Sequence, residues 1–234
     1  MILILKNKLM QKTERLIKSY NEWETVPASD YLLDLHFGNL NESISPHKIS
    51  SLIVLLDGIW QTQLYRNGDA AEKISKSIKK KHNLIQTALI SLPEDALQNH
   101  PEEVFKAAQE IFPIILRIRG LKQHYSFASK YSHWCTRCHF PIVDANARKA
   151  INALQRRYGI TSDRIPASAA NGWQSDYKKW VYFYSDLLNS LTTEEKQKLI
   201  KIDKITQPKN YYIKNSLLRI LDKIFYTWGQ NLET

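Results

Sequence analysis

Residues 210–229 read NYYIKNSLLRILDKIFYTWG and carry the clearest helical pattern of the chain. Apolar side chains recur there at i, i+4, i+7, i+8 and i+11, the spacing of one helix face: Ile213, Leu217, Ile220, Leu221, Ile224, Phe225 and Trp228. Asn210 is placed to cap this helix, and Gly229 is placed to end it. Similar patterns recur upstream and strand patterns are almost absent, so the sequence predicts an all-α fold.

Start signals place further helices along the chain. Ser45 followed by proline is typical of an N-cap and first turn, and Asp144 stands where another N-cap belongs. Thr192 and Glu195 have the spacing of a capping box before a lysine-rich segment. The aromatic-rich residues 173–191 are predicted to form the helix that precedes this box.

A proline and a glycine are predicted to interrupt the helical pattern in the middle of the chain. A helix starts at Pro101, and Pro113 is expected to kink or restart it because proline lacks the N–H that the helix needs. Gly120 then separates two short helices. Asp69 is placed to cap a helix whose exposed side is rich in lysine.

Length and charge indicate a globular protein with a polyanionic partner. The chain has 234 residues, and its 33 Lys and Arg against 23 Asp and Glu give a net charge of +10. We expect one compact helical domain over 1–234, or two packed lobes at about 1–160 and 161–234. Nucleic acid is the expected partner, although a solvated basic surface explains the same charge. The apolar start at residues 1–5 is too short for an export signal, and no stretch approaches 18 uncharged apolar residues. These observations predict a cytoplasmic protein without a membrane span.

The string HWCTRCH at residues 133–139 leaves several interpretations open. Its C-x-x-C-H spacing is that of covalent haem attachment, which requires export. A zinc site has suitable atoms in too short a span, and a redox dithiol needs a strand-to-helix setting. Two reduced cysteines in a loop are the simplest interpretation. P-loop, dinucleotide and hydrolase motifs are missing from the sequence, so nucleotide hydrolysis, dinucleotide binding and hydrolase-fold acyl transfer have no support. We expect no cofactor and no metal.

Two segments of the chain carry a recognisable order of motifs. Between Gly120 and Leu154, a turn glycine precedes the helical string SFASK at 126–130, and PIVD at 141–144 begins another helix. Upstream, residues 55–63 read LLDGIWQTQ. In this order the two segments resemble the helix-hairpin-helix DNA glycosylase superfamily, which has an early Leu-Ser-x-Gln-Thr stretch. The resemblance covers roughly residues 45–158 and implies a glycosylase-like helical core followed by a basic helical extension.

The resemblance also implies site residues. Asp144 corresponds to the aspartate that stabilises positive charge on the sugar as the base leaves, or it is only a helix cap. Ser126 stands where bifunctional members carry a lysine nucleophile. Lys130, one turn further on, is placed to approach the same cavity and is the second candidate catalytic residue. The hairpin's second glycine is missing. DNA contacts are implied for the following residues: Gly120, Lys122, Gln123, Ser126, Arg148, Gln61 and Thr62.

The C-terminal residues add positive charge and aromatic side chains. Residues 178–223 contain ten Lys and Arg against five Asp and Glu, mixed with six Trp, Tyr and Phe. This mixture is typical of a nucleic-acid surface, or of core aromatics beside solubilising lysines. The sequence thus predicts a DNA-binding protein resembling a base-excision glycosylase. The alternative is a non-catalytic helical interaction protein, a defence, toxin-antitoxin or regulatory component, that docks DNA or an acidic protein.

Overall fold

The computed structural model describes residues 2–23, 25–37, 46–60, 64, 69–118, 124–136, 138–158, 165–166 and 172–232. These residues contain twelve α-helices and no strand, which confirms the predicted all-α class. The helices are α1 (Ile2–Glu22), α2 (Thr25–Phe37), α3 (Pro46–Trp60), α4 (Ala70–Lys80), α5 (His82–Ile90), α6 (Ala96–Asn99), α7 (Pro101–Leu116), α8 (Tyr125–Cys135), α9 (Ala145–Arg157), α10 (Trp173–Ser190), α11 (Thr193–Thr206) and α12 (Leu217–Gln230).

The last helix, α12, lies between early and late parts of the chain. It packs against α9 most extensively, and also against α1, α10 and α11. Helices from both sides of residue 160 therefore contribute to one continuous apolar cluster. None of the helices in the described ranges has the length and apolar character that a bilayer span requires.

Two features of α12 differ from the sequence prediction. Asn210 does not cap it, because Lys209–Tyr211 forms a short 3-10 turn and the helix begins after Ser216. The Ser216 hydroxyl accepts a hydrogen bond from the Arg219 amide at 3.2 Å and is the actual cap. Gly229 does not end the helix either. It lies inside α12, where a Cβ would overlap the main-chain carbonyl of Asn146 in α9.

The helix does not restart at Pro113, since α7 continues through this residue to Leu116, and the predicted kink stays a prediction. Proline removes one hydrogen bond to the carbonyl of Gln109, a residue on the exposed side of the helix where water can replace the lost donor. Phe112 and Ile115, on either side of the proline, are buried and hold the helix by packing. Gly120, predicted to separate two short helices, lies outside the described residues.

Other start signals have mixed outcomes. Asp144 caps α9 and the capping box of Thr192 and Glu195 is complete, as predicted. Asp69 precedes α4 but makes no side-chain cap bond; its carboxylate pairs with Lys73 at 2.9 Å. Ser45 falls outside the described residues.

The N-terminal helix α1 was not predicted from the sequence. One of its faces is buried at a helical spacing, by Leu9, Thr13, Leu16, Ile17 and Tyr20. At its start the Lys6 ammonium is also buried, donating to the Ser190 carbonyl at 3.1 Å and to a Glu195 carboxylate oxygen at 3.0 Å. These contacts fasten α1 to the junction of α10 and α11.

Three of the six C-terminal aromatics are core residues rather than part of a stacking surface. Trp180 and Tyr184 are fully buried and stack on one another, and Phe183 is only 7% exposed. Tyr212 is exposed. Trp180, Phe183 and Tyr184 are therefore explained as core aromatics and not as a nucleic-acid surface.

Candidate active site at the start of α9

The extended segment at residues 140–143, which leads into α9, is held by three hydrogen bonds. They run from the His133 ring nitrogen Nδ1 to the Phe140 carbonyl (2.7 Å), from the Tyr177 hydroxyl to the Pro141 carbonyl (3.1 Å), and from the Val143 amide to the Ser129 hydroxyl (2.9 Å). Because a carbonyl only accepts, His133 carries its proton on Nδ1. Two of these bonds come from α8, so α8 fixes where α9 begins.

Asp144 uses its two carboxylate oxygens for different contacts. Oδ1 accepts hydrogen bonds from the amides of Asn146 (2.7 Å) and Ala147 (3.4 Å), which caps α9. Oδ2 lies 3.6 Å from the Lys130 ammonium of α8. The Lys130 side chain is 5% exposed and that of Asp144 is 15% exposed. The structure therefore brings together the two residues that the sequence named for catalysis, and leaves the carboxylate partly accessible.

A second carboxyl group, Asp222 of α12, lies close to this pair. Burial raises its pKa to about 7; the Arg219 guanidinium lowers it, the neighbouring Asp144 carboxylate raises it, and Lys130 lowers it. When two carboxyl groups lie close together in a buried site, the more buried one tends to keep its proton. Near neutral pH Asp222 is thus close to its titration midpoint.

Two tyrosines complete the surroundings of the carboxyl groups. Burial raises the pKa of Tyr184 in α10 well above its usual value, and the charges of Asp222 and Asp144 raise it further. Tyr226 of α12 lies near the same two carboxylates and hydrogen-bonds with Asn146. The Tyr184 hydroxyl and the Asp222 oxygen Oδ1 are buried and make no hydrogen bond to a described group. Four helices, α8, α9, α10 and α12, therefore converge at the start of α9.

A buried ionic cluster lies beneath the site. Arg219 is fully buried and binds both carboxylate oxygens of Asp30, at 2.8 and 2.7 Å. It also donates to Asp222 and to the Tyr20 hydroxyl. Burial lowers the pKa of Arg219, but Asp30, Tyr20 and Asp222 raise it, and the net pKa lies well above the usual value. The guanidinium thus joins α1, α2 and α12 and orients the Asp222 carboxyl.

Arg148 makes contacts inside the protein. Its guanidinium binds the Asp176 carboxylate through two hydrogen bonds of 2.7 and 2.6 Å and donates to the Pro166 carbonyl at 2.7 Å. It lies 5.3 Å from the ring centre of Trp180, and its side chain is 11% exposed. This guanidinium holds α9 against α10, and its predicted contact with DNA stays a prediction.

The remaining predicted DNA contacts are mostly outside the described residues: Gly120, Lys122, Gln123, Gln61 and Thr62. Ser126 is described; it is half-buried in the first turn of α8, one turn before Lys130, and its carbonyl accepts a bond from the Ser129 hydroxyl at 2.8 Å.

The two cysteines lie at the end of α8 as free thiols. Burial raises the pKa of the Cys135 thiol well above its usual range and that of Cys138 to about 12. A thiol must ionise to act as a nucleophile or metal ligand, so these shifts favour the interpretation as ordinary reduced cysteines. In the described part of the chain, no group of three or more His, Cys, Asp or Glu side chains is arranged to hold a metal.

Asp222, Tyr184 and Tyr226 were not predicted as site residues from the sequence. In α12 the charged residues Arg219, Asp222 and Lys223 share one face at i, i+3 and i+4. Such a face is normally solvated, and here it is buried because α1, α2 and α11 supply partners from distant sequence positions. The local signal that points to this burial is the position of Arg219 and Asp222 among the apolar residues of α12.

Comparisons with protein families, with curated proteins and with solved structures find no match to this chain.

Proposed function

We propose that this protein binds DNA and hydrolyses the N-glycosidic bond of a base turned out of the duplex, with Asp144 as the carboxylate that stabilises positive charge on the sugar. The observation that carries this proposal is the position of the Asp144 carboxylate, 3.6 Å from the Lys130 ammonium and bonded to the first amides of α9. Both residues come from the segment that resembles the helix-hairpin-helix glycosylases.

The reaction needs a fixed negative charge close to the sugar carbon C1′. As the bond from C1′ to the base nitrogen breaks, the nitrogen keeps the bonding electrons and positive charge develops on the sugar. A carboxylate that is already oriented stabilises this charge without reorganising during the reaction. Two helix amides orient Asp144 through Oδ1, and the Lys130 ammonium lies 3.6 Å from Oδ2. Water then adds to C1′, and its proton passes to the departing base.

Lys130 is a positioning residue in this proposal, because its buried ammonium acts through the carboxylate of Asp144. A buried lysine paired with a carboxylate is a poor nucleophile, since nucleophilic attack requires the neutral amine. Water rather than an enzyme amine is therefore the expected nucleophile. The positive net charge of +10 supplies the attraction to DNA.

The test incubates the purified protein with labelled duplexes that carry a panel of damaged or mismatched bases, and then cuts abasic sites with hot alkali. We expect cleavage by the wild type and by the matched control Asp69→Asn, which changes another aspartate at a helix start. Asp144→Asn is expected to bind the duplexes and to release no base. Base release by Asp144→Asn at the wild-type rate would contradict the assigned role.

Asp144→Asn also removes the partner of a buried lysine, so a second variant separates chemistry from folding. Lys130→Met combined with Asp144→Asn removes both charges together, and we expect it to fold and to be inactive. Near-ultraviolet circular dichroism reports whether each variant keeps its tertiary packing.

The second candidate function is a non-catalytic protein that docks DNA or an acidic protein. One observation favours it: Lys130 is 5% exposed and Asp144 is an effective helix cap, so their contacts also suffice as structural ones. Duplex binding without base release across the whole panel would favour this function over hydrolysis.

A further inference from the structure

Exposed positive charges extend from the middle of α11 through the loop after it. Five lysines are exposed between residues 196 and 214: Lys198, Lys201, Lys204, Lys209 and Lys214. These five lysines are called the α11 patch below. The same range contains one carboxylate, Asp203, and it is buried.

Asp203 cannot neutralise the α11 patch, because its oxygens are bound elsewhere. Oδ1 accepts from the Lys223 ammonium at 2.9 Å and from the Asn21 amide at 3.3 Å. Oδ2 accepts from the Gln207 and Asn215 side-chain amides at 2.7 and 2.8 Å. None of the five lysines in the α11 patch makes an ion pair with any described residue.

The loop that carries Lys209 and Lys214 folds back on the end of α11. The Gln207 side chain accepts from the Ile213 amide at 2.9 Å and donates to the Ile213 carbonyl at 3.1 Å. Lys214 is therefore held next to residue 207, close to the last turn of α11. On the helix itself, Lys198, Lys201 and Lys204 follow one another at i+3 spacing and are all exposed.

The lysines around α4 provide a contrast, although the sequence there is equally basic. Lys73 pairs with Asp69 at 2.9 Å, Lys76 pairs with Glu72, and Lys79 donates to the Ser50 hydroxyl at 2.8 Å. The positive charge of α4 is thus partly neutralised within the protein. The charge of the α11 patch is available to a partner.

We infer that the α11 patch binds the phosphate backbone of duplex DNA through Lys198, Lys201, Lys204, Lys209 and Lys214. This inference rests on the proposed DNA-binding function and assigns its contact surface to a segment outside the glycosylase-like region. A row of unpaired lysines complements the regular negative charge of a duplex, and each contact releases condensed counterions. Exposed lysines without base-reading groups predict binding that does not depend on sequence.

The experiment measures binding of a short labelled duplex by fluorescence anisotropy over a range of salt concentrations. The test variant combines Lys198→Gln, Lys201→Gln and Lys204→Gln. The matched control combines Lys18→Gln, Lys73→Gln and Lys76→Gln, which remove the same number of positive charges from lysines that are paired with Glu22, Asp69 and Glu72. We expect the test variant to bind roughly 10- to 100-fold more weakly at physiological salt and the slope of log K against log salt to fall by about 3. The control is expected to match the wild type.

Each other outcome overturns the inference in a distinct way. If the wild type binds the duplex and the test variant binds equally well, the α11 patch is not the contact surface, while the proposed function stands. If the wild type does not bind the duplex, the inference and the proposed function fail together. If the wild type binds phosphatidylserine vesicles more tightly than the duplex, and only the test variant loses that binding, the partner of the α11 patch is an anionic membrane.

Discussion

Gly229 of α12 lies directly against the main-chain carbonyl of Asn146 in α9. At this crossing the two helices approach so closely that only a residue without a side chain fits. Asn146 also donates its amide to the Asp144 carboxylate. The Gly229 contact therefore determines how close the start of α9, with its candidate site, lies to α12.

Gly229→Ala is expected to destabilise the protein by at least about 1–3 kcal/mol, because the new methyl group forces α12 away from α9. Urea denaturation measures the change. Gly58→Ala is the control: Gly58 lies on the exposed side of α3, where a Cβ contacts nothing within 4 Å. In this control the free energy of unfolding is expected to rise by about 0.5–1 kcal/mol, because alanine loses less backbone entropy than glycine when a helix forms. Equal effects at the two positions would argue against the close approach.

The ion pair between Lys130 and Asp144 is expected to be energetically coupled. In a double-mutant cycle with Lys130→Met and Asp144→Asn, the double variant should be more stable than the sum of the single changes predicts, by about 1–3 kcal/mol. The reason is that each single change leaves one buried group without its charged partner. The exposed pair of Lys18 and Glu22, 63% and 62% exposed, serves as the comparison. Its coupling should not exceed about 0.5 kcal/mol.

Removing the Arg219 charge is expected to have one of the largest effects on stability. Arg219→Met leaves the buried carboxyl groups of Asp30 and Asp222 without their cation, which costs about 3–5 kcal/mol. Thermal and urea unfolding measure this loss. Lys73→Met removes a lysine from the exposed pair with Asp69 and should cost at most about 1 kcal/mol. A small loss from Arg219→Met would mean that the cluster is more hydrated than its burial indicates.

Two buried groups are expected to give opposite pH dependences of stability. Burial lowers the pKa of His133 from 6.5 to about 3, so its contribution is fully present above pH 6.5 and is lost as the pH falls toward 3. Burial raises the pKa of Asp222 from 3.8 to about 7, so its contribution is present below pH 3.8 and is lost as the pH rises toward 7. Between pH 3.8 and 6.5 the two groups change the free energy of unfolding with pH in opposite directions, so their contributions largely cancel.

In the Asp222→Asn variant, the pH dependence of stability that His133 contributes should therefore become measurable. Relative to the wild type, the free energy of unfolding of this variant is expected to rise with pH by up to about 1.4 kcal/mol per unit across that interval. Urea titrations at a series of pH values measure the slope. His100→Asn, at a side chain that is 51% exposed, is the control and should leave the slope unchanged. An unchanged slope in Asp222→Asn would show that Asp222 is ionised throughout the interval.

Local patterns predicted the helical class and several boundaries of this fold. The capping box at Thr192 and the cap at Asp144 depend on residues within one turn, and both were correct. Asn210 and Gly229 were misjudged because their roles depend on contacts that extend beyond one helical turn. Gln207 organises the loop that replaces the expected cap, and Asn146 explains why the glycine lies inside α12.

The residues of the candidate site also form two groups, one that was predicted from the sequence and one that only the packing of the helices reveals. Asp144 and Lys130 are close in sequence, and a resemblance to a known family singled them out. Asp222 and Tyr184 come from α12 and α10, and only the packing of these helices on α9 places them nearby. The burial of Arg219 likewise depends on Asp30, 189 positions away. Periodicity identifies which face of a helix is apolar, but it does not identify the distant partner of a buried charge.

The packing of α1 against α11 and α12 has a consequence for biosynthesis. The charge of Lys6 stays unpaired until Glu195, 189 positions later, has been synthesised. The apolar face of α1 likewise stays uncovered until α11 and α12 have been synthesised. At usual rates of translation this delay lasts roughly 10 to 40 s. During that time α1 emerges from the ribosome as an amphipathic segment with an uncovered apolar face, which makes the nascent chain a candidate client for chaperones.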